Sequence, residues 1–399
     1  MQTPRRPPLE RPRTWAAVAL FAGLLLTGQA SAQRPVPPEL PAETLGTATL
    51  AGASTERIYV ADFVIAHIID GRIRVFDARG GKLLGMVNTG YAGNFALSAK
   101  SDEIYVATTY LSRGGRGERH DVLEVWDSTT LGFKYEVLLP PKRAQALNYR
   151  GLVRPTGNGR FVLVQNATPA TSITVVDLAE RKVVAEVPTP GCWGVLPAAS
   201  HPSRFSMLCG DGKVATVTLD DKGQVVERQV GEKLFDADND AWFHSAEQVG
   251  DRYFFVSFKG MLTELDLSGP VASVKSAKNL VSAADQKKGW RPGGYQQFAV
   301  HPSGRWAVVA MHDQGREGSH KSPAKQLWTF DLNSGRRVAV SPGLGTVALT
   351  FSKSGQRLQA LDGVTSAMHV WPWSESGRLN KGLVVKPAGE VALQLESHD

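Results

Sequence analysis

Two cysteines, nine histidines and one dense acidic run are the residues of this 399-residue chain with the clearest chemical potential. Cys192 and Cys209 are an isolated even pair flanking one turn, Pro197 to Ser203, between two apolar runs. CxxC spacing is absent and no histidine stands at ligand spacing, so a cross-strand disulfide in an oxidising compartment is the simplest expectation, ahead of a metal or redox pair. The run Asp236-Ala237-Asp238-Asn239-Asp240 with Glu247 has calcium-loop spacing. Ala241, however, occupies the position where the sharp turn of such a loop requires glycine, so the run reads as a solvated connection leading to an inner strand at Trp242-Phe243-His244. The histidines are scattered, and His201 and His301 stand beside prolines as turn residues do. P-loop, HExxH, GxSxG and Rossmann glycine signatures are missing. No catalytic residue and no metal ligand is assigned to this chain.

Three segments carry more chemistry than a turn needs. Asp62 to Ile69 is an apolar insertion containing Phe63, Val64, Ile65 and His67, and exposed apolar loops mark contact surfaces. Ser112 to Asp121 is a charged, glycine-rich loop with Arg116 and Arg119. Gly289 to Tyr295 sets Trp290, Arg291 and Tyr295 around a glycine pair, and such aromatics and arginines anchor interfaces.

The elements that must position these segments recur along the chain. Apolar strands end in Asp and a turn at Val75-Phe76-Asp77, Val125-Trp126-Asp127, Val175-Val176-Asp177, Thr218-Leu219-Asp220, Glu264-Leu265-Asp266 and Thr329-Phe330-Asp331. A seventh copy, His369-Val370-Trp371, has Pro372 in place of Asp. The carboxylate suits this place because it can accept backbone N–H bonds in the turn. Small polar turns lead into alternating strands upstream of most copies, as at Lys100 to Val106 and His301 to Trp306. Each unit of ~45 residues therefore holds about four short strands, the period of a propeller blade. The expected fold is all-β: a seven-bladed β-propeller of four-stranded antiparallel blades over 49–399. Its first unit lacks an innermost strand. Val391 to Leu395 resembles Val347 to Phe351 and supplies a spare one, so the C-terminal strand is expected to close the ring.

Composition agrees. Apolar residues at 42% and charged residues at 21% exclude disorder for most of the chain, and 40 Gly with 23 Pro favour short strands and tight turns. The formal charge of +7 is partly a matter of the N-terminus, where Arg5, Arg6, Arg11 and Arg13 precede an apolar run from Trp15 to Leu26 and an Ala30-Ser31-Ala32 cleavage pattern. Residues 1–32 read as a signal peptide and 33–48 as an extended arm. The apolar run is about a dozen residues where a membrane span needs ~20. The mature chain is thus expected outside the cytoplasm, mildly basic, with no nucleic-acid partner and no membrane anchor.

Arg116-Gly117-Glu118-Arg119 running to Glu124-Val125-Trp126-Asp127 resembles the heavy subunit of quinoprotein amine dehydrogenases. So do Gly289 to Tyr295, Met311-His312 through Glu317 to Lys321, and the two-cysteine unit before Asp211-Gly212. The likeness runs in order through nearly all of the mature chain. Gly318 to Lys321 and the start Pro41 to Gly46 are more similar to the aromatic amine branch than to the methylamine branch. The resemblance implies a periplasmic α2β2 enzyme that oxidises primary amines to aldehyde and ammonia. Its light subunit carries the tryptophan tryptophylquinone cofactor and the catalytic base, and a blue copper protein of the azurin or amicyanin type takes the electrons. The heavy chain seats the light subunit. It also implies roles in this chain: Phe63, Val64, Ile65 and His67 would line the substrate channel, and Arg116, Arg119, Trp290, Arg291 and Tyr295 would meet the light subunit. The competing reading is a stand-alone periplasmic propeller, either a binding scaffold or a lactone hydrolase. A hydrolase needs metal-binding residues converging on the central channel, whereas the expected inner-strand residues Phe95, Leu97, Trp242, Phe298, Val300 and Leu349 are mostly apolar.

Overall fold

A computed structural model describes residues 56–398 except 147, together with positions 41, 46, 49 and 50. The expected leader, and all of the expected arm but positions 41 and 46, lie outside the described residues. Among the described residues no helix is long and apolar enough to cross a membrane.

The regular structure is almost entirely antiparallel β. Ala392–His398 pairs with Arg57–Asp62, which pairs with Gly71–Asp77, which pairs in turn with Leu83–Leu97. This last strand changes partner along its length. Its first half holds Gly71–Asp77, and Tyr91 to Leu97 hold Glu103–Leu111, followed by Arg119–Asp127 and Phe133–Leu139. Further along the chain come four-stranded sheets starting at Val153–Pro155, Cys192–Pro197, Glu247–Val249 and Thr346–Phe351. The sheet built on Phe298–Val300 gains a fifth short strand, Arg291–Pro292, beside Trp306–His312.

Burial explains the strand sequences. Middle strands such as Ser172–Asp177 and Val214–Leu219 are buried throughout, because sheets cover both of their faces. Outer strands such as Val225–Val230 are exposed nearly throughout. Cores lie between sheets consecutive in sequence, and one joins the last sheet to the first. One joins Phe161, Ile173 and Val175 to Phe205, Met207 and Val217; another joins Val347, Leu361 and Val370 to Ile58, Val60 and Leu395.

The recurrent Asp does what its position requires. Asp77 accepts the amides of Arg79 and Gly80, Asp127 those of Thr129 and Thr130, Asp177 those of Ala179 and Glu180, and Asp331 those of Asn333 and Ser334. The Ser268 hydroxyl and amide hold Asp266 down to about 2. The disulfide is present: Cys192 and Cys209 are directly paired across adjacent strands with Cα atoms 3.9 Å apart.

Two expectations are corrected. Trp242-Phe243-His244 is not an inner strand; Glu247–Val249 takes that place. Trp242 makes only an isolated bridge to Ser257, because its ring is stacked between Phe235 and Phe255 at 4.3 and 5.0 Å and acts as a packed plug. The terminal strand runs Ala392–His398, starting one residue later and reaching farther than Val391 to Leu395.

Candidate functional site

In an antiparallel four-stranded unit, the link between second and third strands emerges at the same end as the crossing to the next unit. Here that end carries the long connections 63–70, 112–118, 140–152, 231–246, 280–297 and 313–325. All three segments singled out from the sequence therefore lie at one end of the sheets.

Asp62 fixes the first of them. Its carboxylate accepts the amides of Glu390 and Val391, both at 2.9 Å, and the Arg74 Nε–H at 3.2 Å, while the Phe63 amide donates to the Val391 carbonyl at 3.1 Å. Phe63 is buried against Ala92 and Leu393, with Tyr91, Tyr295 and Val391 around it. Val64 is buried too and adopts a left-handed φ of 44°, a costly conformation for a β-branched residue. Ala92 beside Phe63 has a φ of 48°. Beyond Val64 the short turn Ile65–His67 rises into solvent, with Ile65 54% exposed and His67 exposed. The insertion thus divides into a buried half, Phe63 and Val64, and a presented half, Ile65 and His67.

The charged hairpin stands next to it. Arg116 is exposed at the tip. Arg119 grips Asp121 with two bonds, 2.8 and 2.6 Å, and donates to the Arg143 carbonyl at 3.0 Å. Arg143 is the residue that sequence reasoning missed. It is 2% exposed, its amide donates to Asp121, and its guanidinium donates to the carbonyls of Tyr91 and Ala92 at 2.8 and 2.9 Å and to Thr109 Oγ1 at 2.9 Å. Burial pushes its pKa down to about 10 against the pull of Asp121, which still leaves it a cation at neutral pH. Arg143 thereby ties the Arg119 hairpin to the backbone under Phe63.

The third segment follows a short helix, Ala283–Lys287, capped by the Ser282 hydroxyl. Trp290 packs on Trp328 with ring centres 5.2 Å apart, in a core separate from that of Phe63. Arg291 pairs with His312 in the added strand. Tyr295 donates its amide to the Val347 carbonyl at 2.7 Å, and the Lys321 ammonium lies 5.4 Å from its ring centre. Tyr295, Lys321, Glu390, Val391 and Leu393 border a cleft of about 260 Å³. The structure therefore brings Phe63 and Tyr295 together and links Arg119 to them through Arg143. It places Trp290, Arg291 and Arg116 elsewhere on the same end. What the arrangement offers is an apolar patch with held cations beside it, not a nucleophile with its base.

The channel between inner strands corrects the expectation of apolar walls. Phe298 and Val300 pack between sheets, while the channel holds Arg150, Glu247, Thr350 and Glu396. Arg150 forms a salt bridge with Glu247, donates through Nε to Glu396 at 2.7 Å, and donates through Nη2 to Thr350 Oγ1 at 2.7 Å and the Leu395 carbonyl at 3.0 Å. Burial opposes the charge on Arg150, but the two carboxylates outweigh it and raise its pKa. Burial raises Glu247 in spite of Arg150. Side chains alternate along a strand, so Phe298 and Leu349 belong to the packing face, while Phe95, Leu97 and Val300 also border the channel mouth. Glu247, the twelfth position of the acidic run, is a partner of Arg150. Asp236 instead caps the amides of Asp238 and Asn239. Among the described residues no group of three or more His, Cys, Asp or Glu could hold a metal ion.

Comparison with known proteins adds a second line of observation. The family model described as methylamine dehydrogenase heavy chain (MADH) matches residues 54–353. The chain is 25% identical over 337 residues to the methylamine dehydrogenase heavy chain of Methylophilus methylotrophus, covering 82% of each. It is 26% identical over 332 residues to that of Methylobacillus flagellatus, covering 81% of this chain and 82% of the other. Among solved structures, the periplasmic gluconolactonase of Pseudomonas aeruginosa superposes with a TM-score of 0.59 at 16% identity, covering 87% of this chain and 99% of that one. The β-propeller domain of Cps50 (Swd1) from Myceliophteria thermophila gives 0.53 at 10% identity, covering 80% and 96%. At such identities the structural likeness is one of fold, and that fold is propeller-like.

Proposed function

We propose, from the premise that this chain belongs to the methylamine dehydrogenase heavy chain family, that it is the noncatalytic subunit of a periplasmic quinoprotein amine dehydrogenase. In this reading the chain is a seven-bladed propeller closed by its last strand. The packing of Val347, Leu361 and Val370 against Ile58 and Leu395 supports closure. The elaborated end seats a light subunit in an α2β2 assembly. The tryptophan tryptophylquinone belongs to that subunit and supplies the oxidation of the amine. The tryptophans of this chain do other work, with Trp328 and Trp371 buried in sheet cores. Electrons leave to a blue copper protein of the azurin or amicyanin type.

One observation carries the proposal within the molecule. Phe63 and Tyr295, far apart in sequence, meet in an apolar patch whose backbone Arg143 holds in place, and Ile65 is presented to solvent beside it. Phe63, Val64, Ile65 and His67 line the substrate channel in this reading, and Arg116, Arg119, Trp290, Arg291 and Tyr295 meet the light subunit. An apolar wall favours aralkyl amines, as in the aromatic amine branch, because burying a ring gains more than burying a methyl group. The stand-alone lactone hydrolase is the weaker reading, since both channel carboxylates, Glu247 and Glu396, are engaged by Arg150.

The test is Ile65→Ala and Phe63→Ala in the assembled complex, comparing kcat/KM for phenylethylamine and methylamine. The ratio should fall severalfold for Ile65→Ala, within the roughly 1–3 kcal/mol that small apolar changes control, with the quinone spectrum unchanged. An unchanged ratio in both variants would remove the channel role. Amine oxidation by the isolated chain would remove the subunit role.

A further inference from the structure

The other end of the sheets carries mostly tight turns, yet the central channel opens there into two adjoining hollows of about 330 and 390 Å³. Both have Arg150, Arg154, Gln248, Lys353, Glu396 and Ser397 in their walls. Each falls within the size range of small-molecule sites, roughly 300–1,000 Å³.

Charge in this mouth is unevenly matched. Arg150, Arg154 and Lys353 face two carboxylates, Glu247 and Glu396, and Arg150 engages both of those. Among the described residues Arg154 has no carboxylate partner: its Nη2 donates to Gln248 Oε1, and its Nε is buried with nothing to donate to. Lys353 donates to the Ser101 hydroxyl and brings a further positive charge to the same wall. Ser397 is 5% exposed, and its hydroxyl has no hydrogen-bond partner. A buried donor left unsatisfied is costly, so orphaned donors converging on one hollow mark a place where a ligand gains by binding. Apolar residues complete the walls, with Phe95 and Leu97 on one side and Val300 and Phe351 on the other.

We infer that this mouth binds a small hydroxylated organic anion, with its carboxylate or phosphate drawn to Arg154 and Lys353. Ser397 supplies a further donor, and the oxygens of Glu396 and Gln248 accept from the ligand's hydroxyl groups. The carbon skeleton rests on the apolar wall. A bare inorganic ion would leave most of the two hollows empty and would offer no donor to Glu396. The site lies at the end away from the proposed light-subunit face, and its occupancy is independent of amine oxidation.

The experiment is calorimetric titration of the full chain, free and in its native complex, with gluconate, inorganic phosphate and the neutral polyol glucitol. Gluconate should bind saturably, more tightly than phosphate, and glucitol should not bind. Arg154→Gln should weaken gluconate at least about tenfold, the scale of one hydrogen bond to a charged group. Ser397→Ala should weaken it severalfold, and unchanged melting of the variants will show that they are folded. Amine oxidation by the complex should be the same with and without gluconate. The inference fails if neither anion binds at millimolar concentration, or if glucitol binds as well as gluconate. It fails equally if both variants retain wild-type affinity. Phosphate binding more tightly than gluconate would overturn the organic ligand.

Discussion

The two ends of the sheets solve different problems. At the plain end most turns are short and nearly interchangeable, the link 373–382 being the long one. Asp77, Asp127, Asp177 and Asp331 each cap two backbone amides of the turn that follows, and Ser98 and Thr156 each bond an amide across their own turns. At the elaborated end the long connections differ from one another, and order beneath them comes in part from a buried cation, Arg143, that gathers the carbonyls of Tyr91, Ala92 and Ala144. Repetition fits a part whose only task is to reverse the chain. Individuality marks the part that must match something else in shape.

The contrast can be broken first at Arg143. Arg143→Met should cost about 3–5 kcal/mol, because it leaves the buried carbonyls of Tyr91 and Ala92 without their donor and each unsatisfied buried group costs roughly 1–3 kcal/mol. Denaturant unfolding would measure this, and assembly with the light subunit should fail before the chain itself unfolds. Next comes the disulfide, which sits at the elaborated end, where one strand begins and its neighbour stops. Replacing Cys192 and Cys209 by Ala should lower stability by about 3 kcal/mol while leaving assembly intact. Asp266→Ala at the plain end should cost only about 1 kcal/mol, one turn's hydrogen bonding, with no effect on assembly.

The smallest effect is one of pH. His312, at the elaborated end, is 2% exposed; its Nδ1 accepts the Gln314 amide, and its Nε2 has no partner. Burial holds its pKa below the ordinary 6.5, helped by Arg291 and opposed by Asp313. The unfolded chain therefore binds a proton more readily. The stabilising contribution is complete above about 6.5 and is lost as pH falls from there through the lower folded value. Melting temperature should decline from pH 7 to 5, and His312→Gln should flatten that decline. An equal slope in the variant would assign it to other groups.

Legibility in the sequence follows the same division. The Asp turns, the strand repeat, the spare C-terminal strand and the disulfide pair were readable because each is a local signal or a periodic one. Arg143 was not, because its partners Tyr91, Ala92, Thr109 and Asp121 come from other strands and nothing local distinguishes a buried arginine from a surface one. Arg150, Glu247 and Glu396 were missed for a similar reason: they are far apart in sequence and meet only in the channel. Trp242 misled because an apolar aromatic run looks like a strand when it is in fact a stacked plug. Phe63 and Tyr295 were singled out separately, as residues too apolar or too aromatic for a turn. Their meeting depends on the backbone path that Asp62 fixes.

The pairing of Arg57–Asp62 with Ala392–His398 has a consequence for the order of events in making the protein. Tyr59 lies against His398 across 339 residues, so the strand Arg57–Asp62 cannot finish its sheet until His398 has been synthesised. The entropy of closing so long a loop grows slowly, by about 0.6 kcal/mol per doubling of length. The burden is one of time. During the wait, Arg-Ile-Tyr-Val-Ala-Asp presents an unpaired apolar edge, the kind that recruits strands from other chains. Ala392 to His398 are the residues that retire this hazard. A nascent chain stalled short of Ala392 is then an aggregation seed, and a chaperone would have to guard its first strand rather than its last.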